Sequence, residues 1–183
     1  MTPGGRDRDG DGGLALVGYR GTGKSTVGRI VAARLGWPFA DADREVEARA
    51  GRPIRAVFEA DGEPAFRDLE AAALADLCTR RPLVLATGGG AVLRAANRAA
   101  LRAFGFVAWL RADPATLADR LRRSPGDRPP LTAAGLLGEV EAVLAARVPL
   151  YREAAHAVIE TAGLGPGEVA AAVVAAREQF LGR

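Results

Sequence analysis

Lys24 is the sole lysine of the chain; the other 24 of its 25 basic residues are arginine. It stands inside Gly18-Tyr19-Arg20-Gly21-Thr22-Gly23-Lys24-Ser25, which fits the spacing G-x-x-x-x-G-K-[ST]. That pattern asks for a compact ammonium that can follow a phosphate, a task for which a planar guanidinium is poorly shaped. Glycines let backbone N–H groups close around phosphate oxygens, and the following helix N-terminus adds partial positive charge. Gly21, Thr22, Gly23, Lys24, Ser25 and Thr26 are therefore the expected cradle of a nucleoside triphosphate. Lys24 would reach the β- and γ-phosphates and Ser25 would ligate Mg²⁺.

Other residues carry chemistry that a phosphate donor would need in its acceptor site. Asp41 and Asp43 lie two apart at the end of a strand expected over 38–43, so their side chains are expected on one face. One would hold Mg²⁺, directly or through water, while the other accepts hydrogen bonds or a proton from an attacking hydroxyl. The plainer alternative makes one of them a helix cap and leaves the other solvated. Arg67 and Glu70 are three apart on a helix, either as a surface ion pair or as a guanidinium aimed at a substrate carboxylate. Gly88-Gly89-Gly90 follows the clearest buried strand; it reads as a tight turn or as a loop that lets a ligand meet the backbone.

Arg128 lies in Ser124-Pro125-Gly126-Asp127-Arg128-Pro129-Pro130, with Arg120, Arg122 and Arg123 just before it. This segment is too polar and broken for a core. It reads as a solvated basic loop or as a lid that carries arginine over phosphates. Arg147 interrupts an apolar helical face, which suits an anion partner. His156 is expected in a packing or helix-terminal role, Trp37 and Trp109 in the core, and Cys78 as buried filler.

The elements that must position these groups follow from the apolar pattern. Leu14-Ala15-Leu16-Val17 is a buried strand, and Val27, Ile30, Val31 and Leu35 recur at helical spacing up to Gly36. Two short helices broken at Gly51-Arg52-Pro53 span 44–60, and an amphipathic helix covers Pro64 to Leu77. Further strands are expected at 83–87, 106–110 and 157–160, with helices over 94–102, 114–123, up to about Ala155, and from Gly167. Five strands alternating with helices indicate a parallel α/β sheet with helices on both faces.

At 183 residues, one domain is expected over 14–183, with a disordered tail at 1–13. The tail lacks the apolar stretch of a signal peptide, and no apolar run approaches the ~18 residues of a membrane span. A cytoplasmic protein that engages no membrane is expected, and the single cysteine rules out an intrachain disulfide. The sequence pI is near 9.7. Net charge is only +3 and no basic block is interleaved with aromatics, so small anions explain the arginines better than nucleic acid does.

Together these residues resemble the shikimate kinase family, from about Leu14 to Ile159 with a looser tail. The matching stretches are GTGKSTVGR, FADAD, IRAVFEADGEPAFRDLE, LATGGGAV and ARVPLYREAA, in family order and spacing. The resemblance implies a three-layer P-loop kinase fold, with a five-stranded parallel sheet in the order 2-3-1-4-5 and a mobile lid at about 122–132. It implies transfer of the ATP γ-phosphate to the 3-hydroxyl of shikimate by a monomer that uses Mg²⁺, in aromatic amino-acid biosynthesis. Ser25 and Asp41 would hold the metal, Asp41 through water. Lys24, Asp43 and Arg128 would carry the transfer. Asp43 would also hold the ring hydroxyls within a substrate region of about 41–70. Arg67 and Arg147 would clamp the carboxylate, Glu70 would orient an arginine, Gly88, Gly89 and Gly90 would line the ring, and Phe58 and Phe66 would shape its pocket. Arg120 and Pro166 fall where the family sandwiches adenine.

The chain departs from the family at the lid, where Arg128-Pro129-Pro130-Leu131 replaces the usual Arg-Pro-Leu-Leu. Two other readings compete. A kinase for gluconate shares the hydroxylated carboxylate, and one for a nucleoside monophosphate would need a base-recognition surface. A catalytically silent relative should have lost part of this constellation.

Overall fold

The computed structural model describes residues 12–123 and 135–182. Five parallel strands form one sheet in the order β2-β3-β1-β4-β5, where β1 is Gly13–Val17, β2 Phe39–Asp41, β3 Leu83–Ala86, β4 Gly105–Arg111 and β5 Ala157–Glu160. The helices are α1 (Lys24–Leu35), α2 (Ala42–Ala50), α3 (Ile54–Leu77), α4 (Ala95–Phe104), α5 (Pro114–Arg123), α6 (Gly135–Ala154) and α7 (Pro166–Leu181). A 3-10 turn over Ala91–Leu93 follows the glycine loop.

The pleat sorts the apolar residues into two cores. Leu14 and Leu16 of β1, with Phe106, Ala108 and Leu110 of β4, face α1 and α7, where Val27, Val31, Val169 and Val173 meet them. Ala15, Val17, Val107 and Trp109 face the other way, onto Leu74 and Leu77 of α3, Leu101 and Phe104 of α4, and Tyr151 of α6. Alternate residues therefore serve opposite layers, which is why the inner strands read as unbroken apolar runs. Trp109 is 1% exposed and stacks on Tyr151 with ring centroids 5.6 Å apart. Truncating such a buried aromatic to alanine costs about 3–5 kcal/mol.

Several boundaries differ from the sequence expectation, and each has a local cause. Gly13, assigned to the tail, opens β1 and pairs with Leu83 and Gly105. The strand expected over 38–43 stops at Asp41, whose side chain accepts from the Asp43 backbone N–H and so caps α2. Asp43 therefore sits in the first turn of a helix rather than beside Asp41 on a strand face. The break at 51–53 is present, and α3 carries a second interruption at Gly62, whose φ of 80° is not helical, just before Pro64. Arg128, Pro130 and most of the expected lid lie outside the described residues, as do residues 1–11.

Parallel order leaves the carboxyl ends of β1, β2 and β3 at one edge. The chain leaves β1 through the lysine-bearing loop into α1, β2 through Asp41 into α2, and β3 through Thr87 to Gly90. Ligands bind at this edge in open α/β sheets.

Candidate active site

The loop between β1 and α1 is built from backbone that only glycine adopts easily. Gly23 caps α1 with φ 88°, in the left-handed region. Lys24 is the first residue of α1, and its Nζ donates to the carbonyls of Gly18 (2.8 Å) and Tyr19 (2.9 Å). Its ammonium is thus folded back over the loop that precedes it. Burial lowers its pKa to about 8; the charges of Asp43 and Asp41 oppose that shift and Arg147 adds to it. Four groups from three separate stretches of the chain therefore share one electrostatic environment.

Ser25 Oγ donates to Asp41 Oδ2 at 2.6 Å, while Asp41 Oδ1 accepts from Asp43 N at 3.1 Å. One carboxylate thus joins the start of α1 to the start of α2. The hydroxyl and carboxylate are adjacent hard oxygen donors beside the phosphate loop, which fits Mg²⁺. Among the described residues no three acidic, histidine or cysteine side chains cluster closely enough to enclose a metal. A cation here would have to complete its shell with phosphate oxygens and water, as Mg²⁺ commonly does with nucleotides.

The glycine loop after β3 is where the acceptor-type residues meet. A side chain at Gly88 would place its first carbon 2.6 Å from Asp43 Oδ1 and 3.0 Å from Glu70 Oε1. At Gly90 it would collide with the Arg67 guanidinium, and at Gly89 it would lie 3.8 Å from Arg147 Nη1. Arg147 Nη1 also donates to the Gly89 carbonyl at 3.1 Å. Asp43, Arg67, Glu70 and Arg147, from three helices, thus converge on three consecutive glycines.

The local partners fix their aim. Arg67 Nη1 donates to Glu70 Oε2 at 2.7 Å and Nη2 to Glu63 Oε1 at 3.0 Å. Glu70 is 1% exposed. Burial raises its pKa against the pull of Arg67. A buried carboxylate held by one arginine is a positioning device more than a source of stability. Phe66, buried, and Phe58 pack with centroids 4.5 Å apart, and the Arg67 guanidinium lies 5.0 Å from the Phe66 ring centre.

Lys24, Ser25, Asp41, Asp43 and Gly89 line a single cavity of about 600 Å³ together with Arg20, Thr87 and Arg120. Arg120 donates to the Gly21 carbonyl (3.3 Å) and to Thr161 (2.6 and 2.9 Å), tying the phosphate loop to the chain after β5. Pro166 opens α7 and does not line this cavity. Thr22 is buried, and its hydroxyl donates to the Tyr19 carbonyl within the loop.

Three residues of the arrangement carried no assigned role in the sequence. Arg20, inside the loop motif, pairs with Glu139 of α6 at 3.0 Å. Thr87 is buried, and its hydroxyl donates to the Leu16 carbonyl at 3.0 Å, locking β3 to β1 at the loop. Tyr151 donates its hydroxyl to the Gly89 carbonyl at 2.6 Å. One signal was present: Glu139, Arg147 and Tyr151 share a four-residue spacing on α6, with Val143 between. His156 lies between α6 and β5, where its Nδ1 accepts from Val107 N at 3.0 Å, and burial lowers its pKa.

A parallel sheet in this order, with a lysine-bearing glycine loop opening onto a cavity beside arginines and carboxylates, defines a P-loop small-molecule kinase. The family model described as Shikimate kinase matches residues 20–178. A shikimate kinase of Symbiobacterium thermophilum is 51% identical over 149 residues, covering 81% of this chain and 86% of the relative. A solved shikimate kinase from Acinetobacter baumannii, in complex with shikimate, superposes with a TM-score of 0.85 at 38% identity, covering 93% of each chain. The chain belongs to the shikimate kinase family. A gluconokinase from Sinorhizobium meliloti superposes with a TM-score of 0.62 at 18% identity, which speaks for the fold alone.

Proposed function

We propose that this protein transfers the γ-phosphoryl group of ATP to the 3-hydroxyl of shikimate, giving shikimate 3-phosphate and ADP. The observation that carries the reading is the convergence of Asp43, Arg67, Glu70 and Arg147 on the glycine loop, beside the cavity that holds Lys24. A hydroxylated carboxylic acid matches that set of groups. The arginines pair with its carboxylate, and Asp43 accepts hydrogen bonds from its hydroxyls.

In this mechanism the backbone N–H groups of Gly21 to Thr26 hold the triphosphate, and Lys24 gives up its loop carbonyls for phosphate oxygens. Ser25 and Asp41 would hold Mg²⁺, which would supply positive charge beside the phosphates. Arg67 and Arg147 fix the acid by its carboxylate, with Glu70 setting the Arg67 plane. Gly88 to Gly90 let the ring approach the backbone, and Phe58 and Phe66 wall it. Asp43 orients the attacking hydroxyl and takes its proton as the new O–P bond forms and the bond to ADP breaks. Arg128 is assigned to the transferring phosphate, and Arg120 and Pro166 to adenine. Positioning and charge stabilisation supply the catalysis, as is usual for phosphoryl transfer.

The proposal includes a monomer working in the cytoplasm; among the described residues no helix is long and apolar enough to cross a membrane. ADP release measured with shikimate, quinate, gluconate and nucleoside monophosphates tests the reading. Turnover should depend on shikimate, with the other acceptors near background. Gluconate turnover equal to that with shikimate would overturn it.

A further inference from the structure

The Gly89 carbonyl accepts two hydrogen bonds from one helix. Tyr151 Oη lies 2.6 Å away and Arg147 Nη1 3.1 Å away, one turn apart on α6. A carbonyl has two acceptor directions, so this pair fills it. The tyrosine comes from rigid surroundings. Tyr151 is fully buried and stacks on Trp109 with an interplanar angle of 22°.

From this geometry we infer that Tyr151 is a positioning residue for the acceptor, setting both the Arg147 guanidinium and the 89–90 peptide through the Gly89 carbonyl. The inference rests on the reading of the acceptor as shikimate. The first consequence concerns Arg147. One guanidinium nitrogen, Nη1, is held by Gly89, which restricts the direction its remaining N–H groups present to a carboxylate. The second concerns the backbone. In a planar trans peptide the carbonyl and the next N–H point opposite ways. With the Gly89 carbonyl turned towards α6, the Gly90 N–H is turned away from that helix. Without the hydroxyl, Arg147 alone would hold the carbonyl, and the peptide and guanidinium would move together.

The same helix reaches the phosphate loop through Glu139 and Arg20, so α6 contacts both halves of the cavity. Tyr151 donates instead to the glycine loop, at Gly89. Burial pushes its pKa up to about 12, so the hydroxyl stays a donor throughout any ordinary assay range.

Tyr151→Phe removes the hydroxyl and keeps the ring on Trp109. The expected result is a KM for shikimate roughly tenfold higher, matching the loss of one hydrogen bond that orients a charged group, with KM for ATP and the melting temperature little changed. A purely structural tyrosine would move both KM values together. The same substitution made in an Arg147→Ala background supplies a second readout. There the Tyr151→Phe effect should shrink to less than about threefold, since the two side chains meet each other and one carbonyl.

An unchanged shikimate KM, a parallel rise in both KM values, or effects of the two substitutions that multiply in full would each overturn the inference. Wild-type protein with normal shikimate turnover beside an unaffected phenylalanine variant overturns this inference alone. Wild-type protein without shikimate-dependent turnover overturns the functional reading and the inference with it.

Discussion

The guanidinium of Arg67 occupies the space that a side chain at Gly90 would need. The arginine is held there by Glu70 at 2.7 Å, so the glycine and the arginine form one fitted surface. Gly90→Ala should push Arg67 out of place without touching the phosphate loop. We expect KM for shikimate to rise about tenfold or more, comparable to disturbing one charge-assisted contact, with KM for ATP unchanged. Steady-state kinetics with each substrate varied in turn checks this; an equal change in both would point to a wider distortion.

Lys24→Met removes the chain's one lysine ammonium, which is assigned to the triphosphate. Losing one preorganised transition-state donor lowers kcat by roughly 10²–10³. ADP release under saturating substrates reads this directly. An unchanged kcat would show that the loop does not hold the transferring phosphate.

The lowered pKa of Lys24 gives a pH dependence with a definite sign. The free protein carries the ammonium below about 8 and loses it above. Triphosphate binding favours the charged form, so ATP affinity should be level below that value and fall as pH rises beyond it. Calorimetric titration of ATP between pH 7 and 9.5 should show this fall in wild-type protein and not in Lys24→Met. The same group affects stability. Between about 8 and the ordinary value of 10.5 the unfolded chain binds more protons, so stability gains with rising pH in that window.

Glu70→Gln keeps the shape of a buried side chain and removes the charge that aims Arg67. The amide oxygen can still accept from Arg67, which keeps Glu63 as a second partner, so the loss of stability should fall well below the ~3–5 kcal/mol of a fully broken buried pair. Binding should suffer more. The expected outcome is weaker shikimate binding at nearly unchanged melting temperature; a large drop in melting temperature would make Glu70 a structural residue instead.

The parts of the site that could be read from sequence are those in which one local rule governs. The phosphate loop is such a case, because strand, glycines and helix must follow one another in the chain. The order of the sheet came only from the family resemblance, since hydrophobic runs give strands without their neighbours. Asp43 shows where a local rule misleads. Phe39-Ala40-Asp41-Ala42-Asp43 alternates like a strand, but Asp41 caps the next helix and ends the strand early. Arg20 with Glu139, and Tyr151 with Gly89, were not legible because each pair is far apart in sequence, separated by 119 and 62 residues. Only the packing of α6 across the sheet edge brings them together.

In the proposed reaction, guanidinium groups grip the carboxylate of the acceptor beside the triphosphate. Comparing kcat/KM for shikimate and for its methyl ester, in wild-type protein and in Arg147→Ala, tests it most directly. Esterification should lower the wild-type value at least ~30-fold, the lower end for unpairing a buried charge, and have a much smaller effect once Arg147 is gone. Equal turnover of acid and ester by the wild-type protein would contradict the account.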